Sequence, residues 1–173
     1  AVVTIASADV ADKMGIARAD IERGDVFDFE LLITANGRTT RSTPLVVPAA
    51  CVYNEAMATG SYNVVVADWP ADYDVTITTD PADEFTIYVA GLSVLDGCVE
   101  DHGPFVMHIN PITYAITAES KLLASDYFGY GSITLGGTGV FSTCDGAYTL
   151  ALDISVGDYG SQGIFQFDLT RNP

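Results

Sequence analysis

The stretch GDVFDFELLITANGRTTRSTPLVVP, Gly24 to Pro48, decides the reading of the fold. Phe27, Phe29, Leu31 and Ile33 recur at every second position after Val26, with Asp28, Glu30, Leu32 and Thr34 between them. A period of two marks a strand with one buried face. Ala35-Asn36-Gly37-Arg38 supplies a tight turn, because Asn and Gly accept the positive φ that hairpin turns demand. The second arm runs from Thr39 to Val47 and stops at Pro48, just before Cys51. A lone hairpin is marginal in water, so further strands must surround it. Upstream, AVVTIASAD (Ala1 to Asp9) is the single further strand expected. Three strands make half a sandwich.

Working outward, the 173 residues allow one domain or two small ones. Nine Tyr, eight Phe and many Val, Ile and Thr favour strands over helices. No apolar run reaches the length of a membrane span, so no transmembrane segment is expected. AVVTIASA reads as a mature or processed start. The net charge of −16 is unevenly placed. Residues 1–50 carry five basic and seven acidic groups, and residues 51–173 carry two and sixteen. Such an acidic surface repels phosphate backbones and anionic lipid, which excludes nucleic acid as a partner.

From residue 51 onward, short strand-like runs alternate with turn signals, the rhythm of an antiparallel meander closed as a sandwich or a barrel. The runs begin at Ser61, Asp74, Glu84, Phe105, Thr113, Tyr130, Ala147 and Gly163. Gly136, Gly137 and Gly139 within one run predict a bulge or sharp bend. Between the first strand and the hairpin, Asp9 to Asp25 reads as short turns or one helical turn, with Asp12 and Asp20 as possible N-caps. Ala118 to Asp126 is the one helix candidate in the acidic part. The expected architecture is therefore all-β: a partial immunoglobulin-like unit over 1–50, then a β-meander domain over 51–173.

Two stretches carry a resemblance. Gly15-Ile-Ala-Arg-Ala-Asp-Ile-Glu-Arg-Gly-Asp-Val-Phe, continuing to Asn36-Gly37-Arg38-Thr39, resembles the C-terminal half of immunoglobulin-like domains in Bacteroidota surface lipoproteins, the starch-binding type included. The stretch from Cys51 and Gly60-Ser61-Tyr62 through Thr78 to Val89, ending in Gly137 to Phe141 with Leu169 to Asn172, is similar to the β-meander module that often follows it. The resemblance implies an extracellular, cell-surface, non-catalytic protein. It also implies that strands normally found upstream are missing here, which leaves the hairpin with open edges. Open edges pair readily with another chain, and a neighbour's segment can complete such a sheet.

The expected function is thus a structural subunit of a surface assembly or pilus-like filament, a homo-oligomer joined by donor-strand complementation. Val2, Val3 and Ile5 are the expected knobs, and Phe27, Phe29, Leu31 and Ile33 the groove. Either the AVVTIASAD run or the C-terminal QGIFQFDLTRNP run is a candidate donor. Head-to-tail donation does not close on itself, so it builds filaments. The alternative is a carbohydrate-binding module with Trp69, Tyr73, Tyr127 and Tyr130 as an aromatic platform.

Other constellations are weaker. Asp80, Asp83 and Glu84 cluster around Pro81 as loop carboxylates suited to Ca2+, without the spacing of an EF-hand loop; no other cofactor is expected. His102 follows Glu100-Asp101, where a carboxylate could orient it, and His108 alternates within a strand. No Gly-x-Ser-x-Gly elbow is present, so no enzymatic activity is expected. Cys51, Cys98 and Cys144 lack zinc or thioredoxin spacing. A Cys51–Cys144 disulfide is the favoured pairing, with connectivity left open by spacing.

Overall fold

Asn36 and Gly37 both take positive φ, 51° and 74°, so the chain reverses within two residues and Ala35 faces Arg38. The computed structural model describes residues 5–21, 24–67, 71–92 and 98–173. It divides the chain into two compact units, Ala1–Cys51 and Val52–Pro173.

In the first unit the two expected arms are each broken in two. Strands β1 (Val26–Phe29) and β4 (Leu45–Pro48) form one antiparallel pair, and β2 (Leu32–Ala35) and β3 (Arg38–Arg41) form another. Between the ladders, Glu30 and Leu31 on one arm face Ser42, Thr43 and Pro44 on the other. The extra residue is a bulge. It is fastened by Ser42 N–H donating to the Leu31 carbonyl at 2.9 Å and Leu31 N–H donating to Ser42 Oγ at 3.0 Å.

The expected strand over Ala1–Asp9 is corrected from Ser7 onward, while Ala1–Thr4 lie outside the described residues. Ser7–Met14 forms helix α1, two turns where one was expected. Ala-rich SADVADKM has good helix formers, Asp9 in its first turn and Lys13 in its last, both favourable to the helix dipole. Gly15 closes it in the left-handed conformation, with Ile16 N–H bonding Ala11 O and Gly15 N–H bonding Asp12 O. Asp12 therefore lies inside the helix, and Asp20 lies in a short 3-10 turn, Arg18–Asp20. Neither is an N-cap.

The second unit opens with the single-turn helix α2 (Glu55–Ala58), whose N-cap Asn54 accepts from Ala56 N–H. Eight strands follow: β5 (Gly60–Val66), β6 (Ala71–Asp80), β7 (Asp83–Ala90), β8 (Phe105–Ile109), β9 (Ala115–Ala124), β10 (Ile133–Ser142), β11 (Ala147–Val156) and β12 (Gly160–Arg171). Each pairs antiparallel with its neighbours in sequence, and β12 returns to β5, so the meander is a closed barrel. Phe167 opposite Val66 and Arg171 opposite Tyr62 mark the closing seam. Closure removes both sheet edges.

The helix expected over Ala118–Asp126 is corrected to strand β9. Its AESKLLA run contains helix formers, but pairing with β10 on one side overrides local propensity. Gly136 explains how β9 and β10 come so close: a Cβ there would lie 2.6 Å from Ser120 Cα. The register shifts at this point, as the glycine run predicts.

Inside the barrel, alternate positions are apolar and buried: Tyr62, Val64 and Val66 on β5, Val75 and Ile77 on β6, Leu150, Leu152 and Ile154 on β11. Outward positions such as Ser61, Asp72, Asp74, Thr76 and Thr149 are polar and exposed. An eight-stranded barrel is just wide enough for such side chains to fill it. Two interior tyrosines are satisfied at the α2 end, Tyr148 Oη donating to Ala58 O at 2.6 Å and Tyr62 Oη donating to Met57 O. Burial pushes the Tyr62 hydroxyl up to about 12 and the Tyr148 hydroxyl higher still, so both remain donors.

Candidate functional site

Among the described residues of Ala1–Cys51, Ala11 alone is buried. The ribbon exposes its apolar side chains on both faces: Leu32 66 %, Leu45 64 %, Val46 58 % and Ile33 52 %. Neither β1 nor β4 has a second partner among the described residues, so both outer edges carry unpaired backbone groups. Among the described residues of the unit a single alanine is buried, which gives little apolar burial to offset conformational entropy. Open strand edges bordered by exposed apolar side chains are able to pair with a further strand.

The residues expected to meet a donated strand are partly brought together. Ile5, Val10, Ile21, Phe27, Phe29 and Val47 line a groove of about 360 Å³. Phe27 and Phe29 are half-buried there, their ring centroids 6.5 Å apart. Ile5 sits at the same groove in its own chain and is half exposed. Leu31 and Ile33 are not groove residues; Leu31 lies at the bulge and Ile33 beyond it, both exposed on the open ribbon. Val2 and Val3 lie outside the described residues. The C-terminal candidate donor is built into the barrel, since β12 pairs with both β11 and β5 and buries Phe167 and Leu169.

The expected aromatic platform is divided. Trp69 lies outside the described residues. Tyr73 is corrected to a packing residue: it lies against the barrel core, its hydroxyl donates to Leu92 O at 3.0 Å, and burial raises its pKa strongly. Tyr127 and Tyr130 do come together, with Tyr159 and Phe165, which the sequence reading missed. The signal was available: Gly157-Asp158-Tyr159-Gly160 reads as a turn, and a tyrosine between turn glycines is displayed, not buried.

The candidate calcium acids do turn chemistry. Asp80 accepts from Tyr88 Oη and from Ala82 N–H, and Asp83 accepts from Thr86 Oγ1 and Phe85 N–H, fixing the β6–β7 reversal. These hydrogen bonds, the side-chain ones first, hold both carboxyls below the usual range. Glu84 is exposed; its backbone carbonyl accepts from Tyr53 Oη at 2.8 Å. Among the described residues no group of three His, Cys, Asp or Glu is placed to hold a metal ion.

His102 Nε2 lies 2.8 Å from Ser125 Oγ, and Asp101 Oδ1 lies 3.9 Å from that same nitrogen while accepting Ser125 N–H at 2.8 Å. A catalytic triad needs its carboxylate on the opposite imidazole nitrogen. The Asp101–His102–Ser125 group instead ties one loop to the end of β9. His108 Nδ1 sits 3.0 Å from Thr86 Oγ1, its partner across the β7–β8 ladder. Cys51 and Cys144 are disulfide-bonded. Cys98 is a buried free thiol, 3.2 Å from Asp126 O, and burial raises its pKa.

Comparison with known proteins identifies no relative: no family model, no curated protein and no solved structure matches the chain.

Proposed function

We propose that the chain is an extracellular, non-catalytic structural subunit that assembles by strand complementation between copies, and that it is related to the Bacteroidota surface lipoproteins it resembles. The supporting observation is the Ala1–Cys51 unit: among its described residues, a ribbon with unpaired edges and exposed Leu32, Ile33, Leu45 and Val46, whereas the second unit closes its own sheet. A donated strand adds main-chain hydrogen bonds at an open edge, and alternate apolar side chains fill the groove. Phe27, Phe29 and Val47 supply that groove. The donor is the N-terminal run of a second copy, with Val2, Val3 and Ile5 as its knobs, because using β12 would require opening the barrel. The acidic barrel keeps the product soluble.

A synthetic AVVTIASAD peptide tests this directly. Added in excess to the full chain, it is expected to occupy the groove and arrest assembly, whereas a peptide with Asp at the Val3 and Ile5 positions does not. Assembly that proceeds unchanged with the first peptide present overturns the donor assignment.

A further inference from the structure

The barrel end where β9 leads to β10 and β11 leads to β12 lies opposite the α2 end and carries a second surface, independent of strand complementation. Tyr127, Tyr130, Tyr159 and Phe165, with Val156 and Gln162, line a groove of about 370 Å³ there. Tyr127 and Phe165 pack on the barrel core. Tyr130 and Tyr159 stand at the rim with 56 % and 69 % of their surface exposed. Their rings meet edge-on, centroids 6.0 Å apart at 72°, so together they make an aromatic corner. The corner is held in place. Gly157 has φ 42°, and a Cβ there would lie 2.2 Å from Tyr130 O, so only glycine lets the two loops touch. Gly157 N–H donates to Ser132 O at 2.7 Å, Tyr127 N–H to Gly131 O at 2.6 Å and Tyr130 N–H to Tyr127 O at 2.9 Å. Side chains displayed on a backbone fixed in this way lose little freedom when a ligand arrives.

The charge around the groove has one sign. Asp126 precedes Tyr127 and Asp158 precedes Tyr159 in the loops that build it. Asp101 joins them, because its carboxylate accepts Ser125 N–H at 2.8 Å. Lys121 and Arg171 are the basic residues of 51–173, and neither lines the groove. Lys121 Nζ donates to Pro104 O at 2.6 Å, and Arg171 Nε donates to Thr59 O at 3.3 Å at the α2 end. The loops therefore lend the groove a negative potential that draws cations and repels anions. Yet the lining residues themselves, among those described, include no carboxylate.

We infer that this aromatic groove, ringed by acidic loops, binds a free quaternary ammonium cation of the choline type. A cation is attracted to the negative faces of aromatic rings, and four such rings converge here. The missing lining carboxylate selects among cations. A primary ammonium or a guanidinium would bring N–H donors that the rings leave unpaired, at a desolvation cost. A quaternary nitrogen has no N–H to satisfy, and its methyl groups match the apolar ring faces. Gln162, whose Nε2 donates to Gly160 O at 3.0 Å, adds a fixed polar group for the rest of the ligand. Carriers of the same head that also bear a phosphate are disfavoured, because residues 51–173 carry sixteen acidic groups against two basic ones. A lipid headgroup is therefore set aside in favour of the free cation.

Equilibrium dialysis of the full chain against labelled choline tests this, and it reads binding whether or not copies assemble. Choline is expected to bind saturably. Its uncharged carbon isostere, 3,3-dimethylbutan-1-ol, and the unmethylated ethanolamine should each compete about tenfold more weakly. Phosphatidylcholine vesicles should not carry the chain in a flotation assay. Tyr130→Ala and Tyr159→Ala are each expected to weaken choline binding about tenfold, and Tyr159→Phe, which keeps the ring, by no more than about twofold. Gln162→Lys keeps every ring and places a positive charge at the rim, so it should abolish binding in a chain whose melting temperature is unchanged. Absence of saturable choline binding, equal competition by the uncharged isostere, flotation with the vesicles, or full affinity in Gln162→Lys overturns the inference.

Discussion

Phe29 and Leu45 face each other across the last rung of the β1–β4 ladder, yet Phe29 is half-buried and Leu45 leaves 64 % of its surface exposed. The rung is half a core. Residues opposite each other on an antiparallel rung share one face, so Leu45 extends the face of Phe27, Phe29 and Val47 beyond the groove that Ser7 and Val10 of α1 border, and most of its surface is left uncovered. Each such side chain contributes roughly 1.5–3 kcal/mol when fully covered. The double substitution Ile33→Asp with Leu45→Asp is therefore expected to weaken assembly by at least about a hundredfold. The barrel should melt at the same temperature. Size-exclusion chromatography with light scattering, beside a thermal melt by circular dichroism, separates the two effects.

The proposed donor strand has its own test. Val3→Asp is expected to block assembly when introduced into every copy. A chain carrying Val3→Asp keeps Phe27, Phe29 and Val47 unaltered and should still accept the unaltered N-terminus of another copy, and so cap filaments. Mixing labelled variant with unaltered protein, and measuring filament length, checks this polarity.

The barrel interior predicts a separate cost. Tyr148 Oη donates to the carbonyl of fully buried Ala58 at 2.6 Å. Tyr148→Phe leaves that carbonyl without its hydroxyl donor, at a cost of about 1–3 kcal/mol. Chemical denaturation should report it as a lower midpoint with unchanged slope.

Acid should loosen the β6–β7 reversal. Asp80 and Asp83 have folded pKa values below their ordinary ones, held by the Tyr88 and Thr86 hydroxyls first and by backbone N–H groups second. A depressed carboxyl contributes stability that is complete above its unfolded pKa and is lost as pH falls through the folded one. Asp83 is exposed and Asp80 partly so, hence the effect is modest. Melting temperature is expected to hold from neutrality to about pH 4 and to fall below it. Asp83→Asn should flatten part of that fall.

Much of this architecture is legible from alternation. Each of the eight barrel strands overlaps a run read from sequence, because apolar residues inside alternate with mostly polar ones outside, as Tyr62 and Val64 alternate with Ser61 and Asn63. Asn36-Gly37 names its own turn. What escaped depends on distant partners. AESKLLA is a strand because β10 pairs with it, and SADVADKM is a helix closed by Gly15 in the left-handed conformation. The aromatic groove joins residues 127, 130, 156, 159, 162 and 165 across two loops, a meeting that follows only from barrel closure. Tyr73, sequence-equivalent to the rim tyrosines, points inward because its strand register places it beside Leu92.

The central claim is tested most directly by negative-stain electron microscopy of the natively isolated chain at neutral pH, without denaturant. Strand complementation predicts regular fibres that disappear when Ile33→Asp and Leu45→Asp are combined. Discrete single particles at high concentration, identical for the unaltered chain and the double variant, would contradict it.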